Sequence, residues 1–209
     1  MYSVKDLRTT YDRIAEDWHK DHLNDTWWQG SMDEFCRLMP PGAEVLDVGC
    51  AGGVKTNLLR QRGFRATGID LSDGLIAVAR REFPEVEFHN LDLRDVASLG
   101  KKFDGIYALA VLLHVPKAEV DGVLRGWAES LKPGGHAFVA VKERRDGQPE
   151  EEILEETDYG YAYRRFFSFF TPDELRERLR RAGLEIVSEQ VDLTGNTRWV
   201  KMIAKSARR

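Results

Sequence analysis

Cysteine is scarce in this chain: Cys36 and Cys50 are the two cysteines among 209 residues. Their spacing fits neither a metal site nor a redox pair, so we expect free thiols in a reducing, cytoplasmic compartment. Long apolar runs are also missing. The longest, residues 107–113, is far shorter than the roughly 18 residues that a membrane span needs, and no signal-like apolar segment follows the N-terminus. We therefore expect no membrane partner and no metal site.

Neither sign of charge dominates. Lysine and arginine together number 31, against 35 aspartates and glutamates, which gives a formal net charge of −4 at pH 7. This balance provides no overall attraction for nucleic acid, so a nucleic-acid partner is not expected. The hydrophobic content of 42% and the charged content of 32% are typical of a globular chain. The length suits one domain over residues 1–209, as a monomer or a homodimer.

One segment, EVLDVGCAGG at residues 44–53, says more about function than any other. An apolar strand leads through Asp47 into a glycine-rich turn, and the next apolar run ends at Asp70. A strand, a glycine turn, a helix and a second strand ending in a carboxylate form a nucleotide-binding half-site. A dinucleotide site would need glycine in place of Ala51, to let the backbone approach a pyrophosphate. The sequence therefore favours a cofactor with an amino-acid end and no pyrophosphate, which is S-adenosylmethionine.

The hydrophobic pattern alternates between strand and helix along most of the chain. It predicts strands at residues 44–48, 65–69, 86–88, 103–109, 137–141, 185–192 and 198–204. It predicts helices at residues 7–18, 32–38, 53–62, 73–83, 120–131 and 171–183, with Ser72 and Thr171 as caps and residues 132–135 as a turn. These elements predict an α/β, Rossmann-like fold: a seven-stranded, mostly parallel sheet with one antiparallel C-terminal strand and helices on both faces. Residues 1–40 would form an N-terminal helical cap.

The regular alternation stops between residues 143 and 170. This segment combines a run of glutamates with many aromatic residues, and it follows the ligand-binding edge of the predicted sheet. A long irregular segment in such a place is usually functional or disordered, so we expect a mobile substrate lid. The alternatives are a solvated acidic face and aromatic core packing. The candidate substrate contacts, which offer apolar rings and anion-binding guanidinium groups, are Tyr159, Tyr161, Tyr163, Arg164 and Arg165.

Several motifs, taken in order and spacing, resemble the class I S-adenosylmethionine-dependent methyltransferases from about residue 11 to residue 205. The matching segments are VLDVGCAGG (45–53), GIDLS (68–72), NLD (90–92), FDGIY (103–107), LHV (113–115), LKPGG (131–135), FFTPDEL (169–175) and AGL (182–184). No single motif is decisive, whereas their common order is strong evidence. The resemblance implies the fold predicted above and S-adenosylmethionine as the cofactor.

The resemblance also implies roles for particular residues. Toward the amino-acid end of the cofactor it places Asp47, Gly49, Cys50, Gly52, Ala108 and Leu109. Toward the ribose and the adenine it places Asp70, Leu71, Asp92 and Leu93, and over the cofactor Tyr11 and Trp18. Each has a structural alternative: the glycines could form only a tight turn, Asp92 could be a cap or turn residue, and Tyr11 and Trp18 could be plain core.

The reaction implied is methyl transfer to an O or N atom of a small-molecule acceptor by in-line displacement. The sulfonium methyl is already a strong electrophile, so a base is needed only if the acceptor must lose a proton. Candidates for that base are His114, Glu143 and Tyr107, although His114 could equally be a packed, hydrogen-bonded histidine. Two other functions stay open: a tRNA-modifying methyltransferase using the basic clusters at 176–181 and 201–209, and a non-catalytic regulatory protein that binds S-adenosylmethionine.

Overall fold

The computed structural model describes residues 3–207 of the protein. The ends of the predicted domain, residues 1–2 and 208–209, lie outside the described residues. The predicted basic cluster at 201–209 is therefore described only up to residue 207. The helices are α1 (Val4–His22), α2 (Gln29–Arg37), α3 (Val54–Gln61), α4 (Asp73–Glu82), α5 (Lys117–Ser130) and α6 (Pro172–Arg181). The strands are β1 (Glu44–Val48), β2 (Arg65–Asp70), β3 (Glu87–Asn90), β4 (Phe103–Leu109), β5 (Leu131–Lys142), β6 (Glu151–Glu156), β7 (Tyr163–Ser168), β8 (Leu184–Thr194) and β9 (Thr197–Ser206).

Seven strands form one sheet in the order β3-β2-β1-β4-β5-β9-β8. Strands β1 to β5 run parallel to one another, whereas β9 is antiparallel to both β5 and β8. The predicted sheet, with one antiparallel strand near its C-terminus, is confirmed. The carboxyl ends of the parallel strands meet at one edge, where α/β proteins bind ligands. Because β9 is reversed, its first residues reach the same edge, and Trp199 lies opposite Lys142 at the end of β5.

Alternate residues of the strands pack into two hydrophobic layers, one on each face of the sheet. On one face the strands pack against α5 and α6, with Trp127 and Leu179 in the buried cluster. On the other face they pack against α2 and α3, with Phe35 and Leu59. Helices therefore cover both faces, as the sequence predicted.

Both predicted helix caps are present. Ser72 Oγ accepts a hydrogen bond from the backbone N–H of Leu75 at 3.1 Å, at the start of α4. Thr171 Oγ1 accepts one from the backbone N–H of Glu174 at 3.2 Å. Pro172 occupies the first position of α6, where its missing N–H removes no helical bond. Each cap satisfies a backbone donor that the first helical turn leaves unpaired.

Residues 132–135, predicted as a turn, are counted within β5 but pair with neither neighbouring strand: Phe103 pairs with Leu131, Gly105 pairs with His136, and the pairing with β9 also begins at His136. These residues form the first part of β5, where the pairing with β4 shifts register between Phe103 and Gly105. Gly135 packs closely on β4, because an added Cβ would lie 3.0 Å from the carbonyl oxygen of Asp104. Gly135 therefore reflects a close approach of two strands, whereas Gly134 has a φ of +73°, the left-handed conformation that suits glycine in the unpaired stretch.

The sequence predicted that the segment 143–170 is irregular. The structure corrects this prediction, because the segment contains the hairpin of β6 and β7. The two strands pair antiparallel, from Glu151 opposite Ser168 to Glu156 opposite Tyr163. Exposure alternates along β6, which is typical of a strand with one solvated face. The hairpin forms a second, two-stranded sheet and packs against α1.

Candidate active site

A cavity of about 350 Å³ runs along the carboxyl edge of the sheet, within the size range of small-molecule sites. The loops after β3, β2, β1 and β4 border it, together with the end of β5, the start of β9, α1 and the β6–β7 hairpin. We call the part over β3, β2 and β1 the glycine-turn end; it includes Gly49, Gly52, Asp70 and Asp92. The part over β5 and β9 is the tryptophan end; it includes Trp27, Lys142, Phe167, Thr197 and Trp199.

The turn between β1 and α3 is built by close packing. Gly49 has a φ of +71°, in the left-handed region that favours glycine, and an added Cβ would lie 2.5 Å from the Val111 side chain. At Gly52 an added Cβ would lie 2.2 Å from Nδ1 of His19 on α1. Both positions therefore exclude any side chain. Cys50, between the two glycines, also lines the cavity, and burial raises the pKa of its thiol.

Asp70 lies at the end of β2 and lines the glycine-turn end. Its Oδ1 accepts the backbone N–H of Ser72 at 2.9 Å, and its Oδ2 accepts the backbone N–H of Ala51 at 3.0 Å. Each oxygen keeps a further lone pair for a ligand hydroxyl. Burial raises the pKa of Asp70 to about 6, against the opposing effect of the two backbone donors. The carboxyl is therefore ionised at neutral pH and titrates in mild acid.

The loop after β3 completes the glycine-turn end. Asp92 and Leu93 line it, as does Leu71 after β2. The Asp92 carboxylate accepts the backbone N–H of Arg94 at 2.9 Å and its guanidinium at 3.0 Å. The Leu93 carbonyl accepts the indole N–H of Trp127 at 2.9 Å. Both residues are thus held in place by bonds within the protein.

The middle of the cavity contains a hydrogen-bonded histidine. The O–H of Tyr11 lies 2.8 Å from Nε2 of His114, and Nδ1 of His114 lies 2.7 Å from the carbonyl oxygen of Phe166. A carbonyl can only accept, so the proton is on Nδ1 and Nε2 accepts from Tyr11. Burial lowers the pKa of His114 to about 3, which keeps the ring neutral. The alternative of a packed histidine therefore fits, while the idea of a free base does not.

The tryptophan end is walled by aromatic rings. Trp27, in the segment between α1 and α2, stacks on Trp199 with ring centroids 4.7 Å apart and planes 21° apart. Phe167 of β7 also lines the cavity, and Nζ of Lys142 lies 4.0 Å from the centroid of its ring. The side chain of Thr197 adds a hydroxyl group. Flat apolar walls with few polar groups are suited to a small planar ligand.

Several predicted residues do not line the cavity: Asp47, Tyr107, Ala108, Glu143, Tyr161, Tyr163 and Arg164. Asp47 is almost fully buried, and its Oδ2 accepts the Thr56 hydroxyl at 2.7 Å, which ties β1 to α3. Asp47 was expected to accept hydrogen bonds near the ammonium group of the cofactor. The structure instead shows its carboxylate linking β1 to α3. Ala108 lies within the core, and the cavity is lined instead by the next residues of the chain, Leu109 and Ala110.

Two of the three candidate bases also lie elsewhere. Tyr107 is fully buried and stacks on Phe138 with ring centroids 4.6 Å apart, and burial raises the pKa of its hydroxyl well above the usual value. Glu143 is paired with the guanidinium of Arg198. Neither side chain lines the cavity, so the structure does not place either as the base.

Of the predicted substrate residues, Tyr159 and Arg165 line the cavity. Arg165 is buried and binds both carboxylate oxygens of Glu156, one of them from Nε at 2.5 Å. Its guanidinium carbon also lies 4.8 Å from the centroid of the Trp18 ring and 5.1 Å from that of Phe167. Because Glu156 neutralises it, Arg165 acts as a buried link between α1 and the hairpin more than as a free anion site.

The other predicted substrate residues contact the protein itself. The Tyr161 hydroxyl donates to Asp17 of α1 at 2.9 Å, and the Tyr163 hydroxyl donates to Asp158 at 3.0 Å. Arg164 is exposed and takes part in an ion pair with Glu155. These tyrosines hold the hairpin together and hold it on α1, so their predicted direct contact with the acceptor is corrected.

The sequence reasoning missed several cavity residues. Trp28 is 2% exposed, and its indole N–H has no hydrogen-bond partner within residues 3–207. Nζ of Lys55 lies 5.6 Å from the centroid of the Trp28 ring, and His19, Lys142 and Trp199 also border the cavity. The adjacent tryptophans before the first strand, and a lysine ending a strand otherwise buried, were the available signals.

Comparison with known proteins identifies the family. Residues 28–189 match the family model described as "Methyltransferase domain". The chain belongs to the class I S-adenosylmethionine-dependent methyltransferases. A ubiquinone biosynthesis O-methyltransferase of Pseudomonas entomophila (strain L48) is 33% identical to this methyltransferase over 172 residues, 77% of this chain and 72% of the relative. The protein of the same name from Xanthomonas axonopodis pv. citri (strain 306) is 33% identical over 162 residues, 72% of this chain and 66% of the relative.

Solved structures share the fold of this methyltransferase. The Burkholderia thailandensis 1,6-didemethyltoxoflavin-N1-methyltransferase, with bound 1,6-didemethyltoxoflavin and S-adenosylhomocysteine, matches with a TM-score of 0.77 and 21% identity over 97% of this chain and 88% of its own. The CcbJ methyltransferase from Streptomyces caelestis matches with a TM-score of 0.77 and 16% identity over 99% and 100% of the two chains.

The glycine-turn end of the methyltransferase fits S-adenosylmethionine chemically. Asp70 offers acceptors for the ribose hydroxyls. Lys55 and the indole N–H of Trp28, which has no partner among residues 3–207, supply a cation and a donor near the turn, and both suit a carboxylate. Within residues 3–207, no cluster of three or more His, Cys, Asp or Glu side chains could hold a metal ion. None of the helices in the same part of the chain is long and apolar enough to cross a bilayer.

Proposed function

We propose that this enzyme transfers the methyl group of S-adenosylmethionine to an O or N atom of a small-molecule acceptor by in-line displacement. The observation that carries the proposal is the extent of the cavity. It continues from the glycine-turn end past His114 to a separate set of aromatic walls over β5 and β9. Two adjoining compartments in one cavity are what a transfer between a cofactor and a second small molecule requires.

The cofactor, when bound, supplies the electrophilic methyl group, so the protein needs to supply little chemistry. Asp70, Lys55 and Trp28 would fix the cofactor at the glycine-turn end. Tyr11 and Arg165, bridged at 3.3 Å, close the middle of the cavity from α1 and the hairpin. Such closure excludes water and orients the acceptor toward the methyl group.

Proton removal by His114 is not part of the proposal. Its neutral ring already uses both nitrogens, and a group with a pKa of about 3 is a weak base at neutral pH. An amine that reacts through its lone pair, or an acceptor oxygen that is already ionised, needs no protein base in the transfer step.

A tRNA acceptor has little support from the charges of the structure. The arginines of α6 are paired: Arg176 with Glu189, Arg178 with Asp121 and Glu174, and Arg180 with Glu177. Phosphate binding needs basic groups that are free to release counterions. Paired arginines on one helix make a weak site of this kind.

The proposal can be tested by incubating the protein with S-adenosylmethionine and a metabolite extract, and following mass shifts of one methyl group. RNA in a parallel reaction tests the tRNA alternative. A methylated metabolite, absent without cofactor, is the expected result. If S-adenosylhomocysteine binds but neither reaction gives a product, the proposal is wrong and a regulatory role is favoured.

A further inference from the structure

The cavity contains several basic side chains, and most have an acidic partner. Arg8 is paired with Asp73, Arg94 with Asp92, and Arg165 with Glu156. Like Lys55 at the glycine-turn end, Lys142 differs: within residues 3–207 its ammonium group makes no hydrogen bond or ion pair, and its Nζ lies 4.0 Å from the centroid of the Phe167 ring. It is thus an unneutralised cation in the wall of the tryptophan end.

The lack of an acidic partner for Lys142 is unusual because its side chain is partly buried. Burial lowers the pKa of Lys142 to about 8; Arg165 on β7 and Arg145 in the loop after β5 add to the effect, and Glu156 on β6 opposes it. The ammonium form still predominates at neutral pH. A half-buried ammonium without an anion is costly, because water is partly removed and no partner replaces it. An anionic ligand group would supply the missing partner.

The walls beside this cation have a definite shape. Trp199 lies on β9, the strand next to β5, where it pairs in register with Lys142, and its ring stacks on that of Trp27 from the segment between α1 and α2. Phe167 flanks the ammonium from the hairpin, and Thr197 adds a hydroxyl to the same end. Flat aromatic faces favour a planar ring, and the cation disfavours a positively charged ligand.

We propose that Lys142 binds an anionic oxygen of a planar aromatic acceptor, in a subsite formed with Phe167, Thr197 and Trp199. The acceptor class is an aromatic ring bearing a carboxylate or a phenolate. This inference rests on the proposed function, because it assigns the tryptophan end to the acceptor. Lys142 acts as a specificity-determining residue: it selects the acid over the neutral amide of the same shape.

Matched probes test the subsite. The protein, saturated with S-adenosylhomocysteine, is titrated by calorimetry with 2-naphthoate and with 2-naphthamide, which differ in charge but hardly in size. We expect naphthoate to bind about tenfold tighter, the order of effect of one charge-assisted hydrogen bond. Lys142→Met and Lys142→Gln should reduce the ratio to within about twofold, whereas Lys142→Arg should keep it above about threefold. Lys205→Met, at the other end of β9 with the same charge change, should leave the ratio unchanged.

The results distinguish a failure of the Lys142 subsite from a failure of the proposed methyl transfer. Failure of naphthoate to bind, equal binding of the two probes to the unaltered protein, or a preference that survives both Lys142→Met and Lys142→Gln overturns the subsite. S-adenosylhomocysteine affinity, measured first for every variant, reports that the fold and the cofactor site are intact. If that affinity is present and naphthoate is not preferred, the subsite alone is wrong; if the cofactor product does not bind at all, the proposed function is wrong.

Discussion

The two ends of the cavity are built in different ways. At the glycine-turn end, Gly49, Asp70 and Asp92 lie at or just after the ends of β1, β2 and β3, three consecutive strands of the chain. At the tryptophan end, Trp27, Lys142 and Trp199 come from distant parts of the chain and meet because β9 lies beside β5. The glycine-turn end is built by short segments at the ends of consecutive strands, whereas the tryptophan end depends on the pairing of β9 with β5. We expect binding of the cofactor to depend on single residues, and selection of the acceptor to depend on how elements are held together.

The largest expected effect is at Asp70. Asp70→Ala removes both acceptors for ribose hydroxyls and should lower S-adenosylhomocysteine affinity by about 2–4 kcal/mol, since bonds to a charged group contribute about 1.5–3 kcal/mol each and water replaces part of them. Calorimetric titration measures the change. Asp73→Ala, a nearby exposed carboxylate paired with Arg8, is the matched control and should bind normally. Unchanged affinity in a folded Asp70→Ala protein would show that the carboxylate does not hold the cofactor.

A second test concerns the contact that α1 makes with the glycine turn. Gly52→Ala places a Cβ 2.2 Å from Nδ1 of His19, so the His19 ring or α1 must move, at a cost of about 1–3 kcal/mol in the free energy of unfolding. Adding His19→Ala should restore most of the loss. Gly126→Ala, in α5 with open space around the site, should not destabilise the protein. Denaturant unfolding decides, and a Gly52→Ala protein as stable as the original would contradict the close approach.

The two ends should respond to pH in opposite directions. Asp70 has a raised pKa of about 6, and only the ionised carboxylate accepts hydroxyl bonds. S-adenosylhomocysteine affinity should therefore be constant above about pH 7 and fall up to about tenfold per unit below pH 6. Lys142 has a lowered pKa of about 8, so naphthoate affinity should instead fall as the pH rises above 8. Asp70→Asn should flatten the acid limb, and Lys142→Met the alkaline one. A shared pH dependence of both ligands would mean that one group controls both ends.

The smallest effect on the cofactor should come from the hairpin. We propose that the segment 143–170 opens and closes over the acceptor. Tyr161 lies outside the cavity lining and bonds to Asp17 of α1, so Tyr161→Ala should reduce turnover of an identified acceptor while S-adenosylhomocysteine affinity stays within about threefold, or roughly 0.7 kcal/mol. Tyr161→Phe isolates the hydrogen bond from the ring.

Hydrogen exchange tests the same proposal without an acceptor assay. The hairpin should exchange faster than β1 and β5 in the free protein and slow down when acceptor and cofactor product are both bound. Equal protection of the hairpin and the central strands in the free protein would contradict opening and would make the hairpin part of the fixed core.

The local construction of one end and the long-range construction of the other decide what could be predicted from the sequence. The glycine turn, the tip of β2 and the caps at Ser72 and Thr171 are local patterns, and the structure places them as expected. Lys142 and Trp199 carry no local signal of proximity, because their contact depends on the reversed pairing of β9. Tyr107 was misjudged for a related reason: alternation along β4 turns its side chain into the core, although the backbone of the same strand leads to the cavity.

The hairpin was misjudged because its glutamates concealed an alternating strand. In β6 the side chains of Glu152, Leu154 and Glu156 are less exposed than those between them. The Glu156 carboxylate lies on the less exposed face of β6 because it is paired with the guanidinium of Arg165 on β7. A buried ion pair gives an acidic run the pattern of a strand, and composition alone does not reveal which glutamate has the partner.

The placement of the tryptophans has an optical consequence. Of the five tryptophans, Trp18, Trp27, Trp28 and Trp199 line the cavity, while Trp127 is buried in the core. The stacked indoles of Trp27 and Trp199 will change their emission when a ligand covers or separates them, and Trp127 supplies a steady background. The protein can therefore report the arrival of an acceptor by its own fluorescence, with no label, and candidate acceptors can be screened by light before any product is known.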